Sequence, residues 1–220
     1  MCLSIEPGSA AVTTLPSDDG VLRCSWASRE PETAYHDTEW GFPVGDDTRL
    51  FEKICLEGFQ SGLSWRTILL KRDNFREAFA GFDIPTVAGF GEREVERLLG
   101  NAGIIRHRGK INATINNAAR AVELIDEAGS LAAFVWQFEP DVPAASPEPV
   151  TTTPESGALS RALKKRGWKF VGPTTMYAFM QSMGVVNDHA PGCVTYEPVV
   201  RARERFTRPT PAGAVPLSSP

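Results

Sequence analysis

Helical periodicity runs through this chain almost without interruption, and no strand pattern competes with it. The cleanest instance spans about 107 to 128, where Ile111, Ile115, Ala118, Val122 and Ile125 step by four and three. Similar spacing predicts helices over roughly 47–58, 64–72, 74–80, 92–100, 156–166 and 173–183. Ser130 opens a short segment carrying Leu131, Phe134, Val135 and Phe138. There is neither apolar alternation at a period of two nor an internal repeat. The expected fold class is therefore all-α. With 220 residues and 42% hydrophobic content, the chain can bury one substantial core with room for a second lobe.

Several classes are excluded early. No run is apolar and long enough to span a membrane. Met1 to Gly20 lacks a basic region followed by an apolar run, so it does not read as a secretory signal. Four cysteines without such a signal point to thiols or metal rather than disulfides. A net charge of −4 argues against indiscriminate nucleic-acid binding, although the distribution of charge matters more than its sum. Met1 to Asp19 is rich in Ser, Thr and Pro, and Arg201 to Pro220 is Arg-rich, then Pro-rich. The expected organisation is a disordered extension over 1–21, a helical domain over 22–196 and a flexible tail over 197–220. Asp141 to Pro154 reads as an excursion or a connection between lobes.

Three stretches carry chemistry. In Ile54-Cys55-Leu56-Glu57-Gly58-Phe59-Gln60-Ser61-Gly62-Leu63-Ser64-Trp65, a helix starting at Asp46 or Asp47 runs into a glycine turn and a second helix capped by Ser64. Glu57 falls beside Leu50 and Ile54, so its carboxylate is turned partly inward and needs a cation or a donor. An inward acid near the flat ring of Trp65 suggests a pocket for a flat, electron-poor group. The same residues also fit a helix-end Glu and a core Trp. Cys55 lies on the core face and reads as packing.

The second stretch is Arg161-Ala162-Leu163-Lys164-Lys165-Arg166-Gly167-Trp168-Lys169-Phe170-Val171-Gly172-Pro173-Thr174-Thr175. A helix ends at Gly167, and an apolar turn leads to a new helix with Pro173 in first position. Such a turn presents backbone N–H groups at a positive helix end, and the neighbouring Lys and Arg add charge. The combination suits a nucleic-acid backbone. An ordinary helical corner with a solvated basic face fits as well. Arg106-His107-Arg108-Gly109-Lys110 is a second basic turn of the same kind. Thirdly, His189 and Cys193 lie four apart, while Cys24 and His36 lie near the other end of the chain. Two Cys and two His suit a tetrahedral, structural Zn²⁺ that would clamp the two ends. These spacings are not those of a zinc finger, and unrelated Cys and His residues would look the same.

Taken together, the residues resemble the 3-methyladenine DNA glycosylase I family, all-helical bacterial alkylation-repair enzymes of the helix-hairpin-helix superfamily. The resemblance runs from about Arg23 to Cys193. Its blocks include Arg23-Cys24-Ser25-Trp26, Tyr35-His36-Asp37-Thr38-Glu39-Trp40-Gly41, Ile54-Cys55-Leu56-Glu57-Gly58, Gly62-Leu63-Ser64-Trp65, Asn101 through Lys110, Ala162 through Gly167, Phe170-Val171-Gly172 and Asn187-Asp188-His189. It implies a helix-hairpin-helix glycosylase fold with one structural zinc on Cys24, His36, His189 and Cys193. It implies a base pocket of Glu57, Tyr35 and Trp65, with Trp26 and Trp40 as neighbours. The resemblance places the DNA-binding hairpin at Phe170-Val171-Gly172-Pro173. The contacts to double-stranded alkylated DNA are then expected from Lys164, Lys165, Lys169, Val171, Gly172 and Thr174, with Gly62 and Leu63 as a wedge. Asp188 beside His189 reads as supporting structure. The implied reaction is hydrolytic release of 3-methyladenine that leaves an abasic site without strand cleavage. A cytoplasmic, monomeric protein is the corresponding expectation.

Overall fold

The computed structural model describes residues 13–17, 19–141 and 150–211. In chain order these form strands β1 (Thr14–Pro16) and β2 (Leu22–Cys24), then helices α1 (Glu32–Thr38), α2 (Asp47–Gln60), α3 (Trp65–Leu69), α4 (Arg72–Ala78), α5 (Ile84–Ala88), α6 (Glu92–Gly100), α7 (Arg108–Ala128), α8 (Leu131–Val135), α9 (Pro154–Lys165), α10 (Pro173–Ser182) and α11 (Tyr196–Arg205). Short 3₁₀ turns cover Ala80–Phe82 and Trp136–Phe138. The chain is mostly helical, but not wholly so: β1 and β2 pair antiparallel, with Thr14 opposite Cys24. Three residues per strand are too few to write a period of two, which is why the sequence did not announce them.

Helix α2 is the axis of the fold. Asp46 accepts from Arg49 N at 2.8 Å and caps it. Asp47 instead turns outward and accepts from Leu131 N and Ala132 N at 3.1 and 2.8 Å, capping α8. Every residue from Leu50 to Phe59 is buried, including Glu52, Lys53 and Glu57. Glu57 is thus not at the edge of an apolar face but inside. Around α2, a cluster of Phe51, Phe59, Phe75, Phe79 and Phe82 fills the core, with Phe59 and Phe75 ring centroids 4.6 Å apart. A second, smaller cluster of Cys24, Tyr35, Trp40, Leu69, Ala190 and Cys193 sits apart from it.

Helix α7 follows its expected span closely, with His107 Nδ1 accepting from Lys110 N and Gly129 closing it at φ +86°. The helix expected over 64–72 breaks at Leu70 and Lys71, and α4 begins early enough for Arg72 to clamp both oxygens of Glu39 at 2.8 Å. The tail expected from 197 is not loose in its first part. Val199 of α11 is fully buried, Phe206 packs on Trp136 with centroids 4.6 Å apart, and Arg203 and Arg208 both reach Glu139. A high Arg content disguised an anchored helix. The extension over 1–21, expected to be disordered, is ordered where it is described, because Thr14–Pro16 pairs with Leu22–Cys24, while 1–12 and 18, like 142–149 of the 141–154 excursion, lie outside the described residues.

Candidate active site and metal centre

Helix α2 presents Lys53 and Glu57, one turn apart, to α1 and α3. Lys53 Nζ lies 2.8 Å from Glu57 Oε1 and 2.9 Å from the Tyr35 hydroxyl, to which it donates. The same ammonium stands 3.2 Å from the centre of the Trp65 ring. The Tyr35 and Trp65 rings are 5.2 Å apart. A buried carboxylate persists only with a partner, and Lys53 is the partner that the inward position of Glu57 demanded. Burial pushes the Lys53 ammonium down from its ordinary pKa, while the Glu57 charge opposes that. Burial, with Glu57 adding to it, pushes the Tyr35 phenol well up, so Tyr35 is a neutral hydroxyl at neutral pH.

Beside this group is a cavity of about 20 Å³, lined by Tyr35, Glu39, Glu52, Lys53, Trp65 and Arg72. That is room for a water, not for a purine. Trp65 Nε1 is buried and has no hydrogen-bond partner among the described residues, a donor left over in the wall. Glu39 is held by Arg72 and Glu52 by Arg76, so the neighbouring acids already carry their own cations.

Tyr35, Glu57 and Trp65 therefore converge as expected. Glu57 reaches the cavity only through Lys53 and is not in its lining, and Trp26 and Trp40 do not line it. The Trp26 ring is 5.1 Å from Trp40, 5.4 Å from His36 and 6.3 Å from Tyr35. Trp40 packs 4.6 Å from His189. Both belong to the wall between the cavity and the Cys/His cluster. Lys53 was missed by sequence reasoning. Its signal was a lysine four residues before an inward Glu, on a helix otherwise apolar at those positions.

Cys24 ends β2, His36 lies in α1, and His189 and Cys193 lie between α10 and α11. Their four ligand atoms fall within 4.8 Å of one another, and all four residues are buried. His189 Nδ1 is 3.6 Å from Cys24 Sγ and 3.5 Å from Cys193 Sγ, and His36 Nε2 is 3.4 Å from Cys193 Sγ. A tetrahedral zinc with bonds of about 2.3 Å to sulfur and about 2.0 Å to nitrogen has S···N edges of about 3.5 Å. The outer nitrogens are already engaged, as metal-binding imidazoles require. His189 Nε2 meets Trp40 O at 3.0 Å, and His36 Nδ1 meets Asp37 at 2.7 Å, itself held by Arg23. Burial raises the Cys24 thiol to about 12 and lowers His189 to about 4, so only a cation at the centre would make thiolates there. Gly41 closes the cluster. At φ +85° a Cβ would stand 2.8 Å from His189 Nε2, so no other residue fits.

The surface elements also fall largely where the sequence put them. Gly62, at φ +81°, and Leu63, 37% exposed, form an open turn after α2. Lys110, from the second basic turn, does not face solvent. Its Nζ donates to Phe59 O and Ser61 O at 2.9 and 2.6 Å and caps the end of α2. Between α9 and α10, Gly167 at φ +80° and Phe170 at φ +56° shape the turn. Asn117 fixes it by bonding both the N–H and the carbonyl of Lys169. Lys164, Lys165, Lys169 and Thr174 are exposed. Arg166 is committed to Glu127, and the Val171 side chain is buried, so Val171 can offer only its main chain. Gly58 ties this turn to the pocket helix, since a Cβ there would lie 3.3 Å from Phe170 Cβ. Asp188 accepts from Tyr177 and Gln181 and is structural in this arrangement.

A model of the methyladenine glycosylase family matches residues 26–196. The DNA-3-methyladenine glycosylase 1 of Escherichia coli K12 is 52% identical over 180 residues, covering 79% of this chain and 96% of that protein. The DNA-3-methyladenine glycosylase of Haemophilus influenzae is 45% identical over 177 residues, with 78% and 96% covered. A crystal structure of 3-methyladenine DNA glycosylase I superposes with a TM-score of 0.74 at 52% identity, covering 79% and 99%. The Staphylococcus aureus enzyme, solved to explain its recognition of 3-methyladenine, superposes at 0.75 with 31% identity, covering 79% and 96%. The chain belongs to the methyladenine glycosylase family.

Proposed function

We infer that this chain removes 3-methyladenine from alkylated double-stranded DNA by hydrolysing its N-glycosidic bond. The observation that carries the reading is the convergence of Glu57, Tyr35 and Trp65 on one buried cation. The three surround Lys53 Nζ as they would surround a cationic base. Methylation at N3 makes the base cationic and a good leaving group, so the protein has only to extrude the nucleotide and hold it. Glu57 accepts from the exocyclic amine and favours the cationic base over neutral adenine. Trp65 stacks on its face, a contact of roughly 0.5–2 kcal/mol. Tyr35, a neutral phenol, bonds a ring edge. Trp26 and Trp40 stiffen the wall behind them. The amine in this arrangement, Lys53 Nζ, is bound to Glu57 and Tyr35 and serves as a cation rather than a nucleophile, so the product is an intact strand with an abasic site. A duplex with a single 3-methyladenine tests this: the strand should break only after alkali, and breakage without alkali would contradict it.

The helix pair α9–α10 is the helix-hairpin-helix of this proposal. Its exposed Lys164, Lys165 and Lys169, the first-turn amides near Gly172 and Thr174, and the main chain of Val171 hold phosphates without reading bases. Replacing the three lysines by Ala should weaken binding uniformly across sequences and flatten its salt dependence by about three units of slope. Fluorescence titrations at several salt concentrations measure both, and an unchanged slope would move the DNA elsewhere. The Gly62-Leu63 turn fills the gap left by the flipped base. Leu63→Ala should weaken binding to abasic duplex by about tenfold, a contact worth roughly 1–2 kcal/mol.

Cys24, His36, His189 and Cys193 would hold one Zn²⁺, and with four protein ligands it would supply structure rather than an activated water. The catalytic unit is the helical body from 22 to 196, extended by α11. It acts as a monomer beside the chromosome in the bacterial cytoplasm. Among the described residues, no helix is long and apolar enough to cross a membrane.

A further inference from the structure

The base pocket proposed above is already full. Lys53 Nζ occupies the face of Trp65 at 3.2 Å from its centre, the Glu57 carboxylate at 2.8 Å and the Tyr35 hydroxyl at 2.9 Å. These are the three contacts that the reading assigns to a cationic base. The space remaining is about 20 Å³, and both Lys53 and Glu57 are more than nine-tenths buried. One cation cannot share a carboxylate and an aromatic face with another in so small a volume, since like charges at contact repel strongly away from water.

We propose that Lys53 is a tethered surrogate of the cationic base, a plug that occupies the recognition pocket in the free protein and must withdraw before a flipped base can enter. The inference rests on the glycosylase reading and adds to it an occupancy threshold. An incoming base has to displace an ammonium from Glu57 and Trp65, and that displacement lowers the affinity of every base by the same factor. A neutral purine, which gains little from either group, is thereby pushed below the range in which it occupies the pocket. Lys53 withdraws into the small cavity beside it, where Glu39 and Glu52 are already paired with Arg72 and Arg76 and would have to be shared. The four-carbon stem of lysine gives the reach that a shorter side chain would lack.

The test compares wild type with Lys53→Met, which keeps length and removes charge, by titrating free 3-methyladenine and free adenine against tryptophan fluorescence. Relief from competition should tighten 3-methyladenine binding at least about tenfold and adenine binding by the same factor, because a plug that must leave before either enters weakens both equally. Equal or weaker binding by a folded Lys53→Met overturns the plug. Should that variant fail to fold, a crystal structure of the wild-type protein with 3-methyladenine decides instead. Nζ withdrawn from the Trp65 ring supports the proposal, and Nζ still over the ring with the base elsewhere overturns it. Base release from methylated DNA by the wild type is measured in parallel. Normal release with no gain in Lys53→Met removes the plug alone, whereas no release removes the glycosylase reading and the plug with it.

Discussion

Glu57→Gln should reduce release of 3-methyladenine by at least about a hundredfold while the protein stays folded. The amide keeps the shape and one acceptor of the carboxylate but loses the charge. Removing one member of a buried, hydrogen-bonded charge pair costs about 2–5 kcal/mol, enough for that factor. Here the partner lost in the bound state is the cationic base, and in the free state it is Lys53, 2.8 Å away. Both states are weakened, but in the free protein an unpaired Lys53 can shed its proton or swing out, and the lesion cannot shed its methyl group. The loss should therefore appear in release rates at saturating DNA, with circular dichroism and duplex affinity close to wild type. Release at the wild-type rate would mean that charge at Glu57 plays no part.

Metal removal should have the largest effect on stability. The Cys24, His36, His189 and Cys193 cluster joins β2 and α1 to the segment before α11, elements more than 150 residues apart in the chain, as the pairing of Cys193 with His36 across 157 residues shows. Without a cation the buried Cys24 stays a neutral thiol, and the cluster is held only by weak S···N contacts of 3.4–3.6 Å in place of metal bonds. Loss of a structural metal at such a closure should cost at least about 3 kcal/mol, lowering the melting temperature by roughly 6–12 °C for a chain of this size. Cys193→Ser should reproduce the effect in the presence of zinc. Elemental analysis of the purified protein should find one zinc per chain. Protein free of metal, with a melting temperature indifferent to chelator, would remove the clasp from the account.

The parts of the fold that could be read from the sequence are those set by local chemistry. The α7 stripe, the Asp46 and Ser64 caps, and the Gly167 and Pro173 turn residues each act within a few positions, and each stands where the pattern put it. The inward turn of Glu57 was visible for the same reason. Its neighbours were not. Lys53 meets Trp65 and Tyr35 only through tertiary packing, and a lysine in a helix pattern ordinarily marks a solvated face. The resemblance set Trp26 and Trp40 beside the pocket, and the fold packs their rings against His36 and His189. Lys110 looked like a phosphate ligand because basic turns usually are exposed, whereas it caps α2 from inside. The α11 helix was hidden because composition, dominated by Arg, outweighed the spacing of Val199, Arg203 and Phe206, which the fold uses as an anchor.

The acid–aromatic pocket on α2 should select and release one methylated base. Chromatography of the free bases liberated when purified protein is incubated with N-methylated duplex DNA measures this directly. The expected result is a peak of 3-methyladenine, little of any other methylated base, and an undamaged backbone. Folded protein that binds abasic duplex but liberates no 3-methyladenine would contradict it.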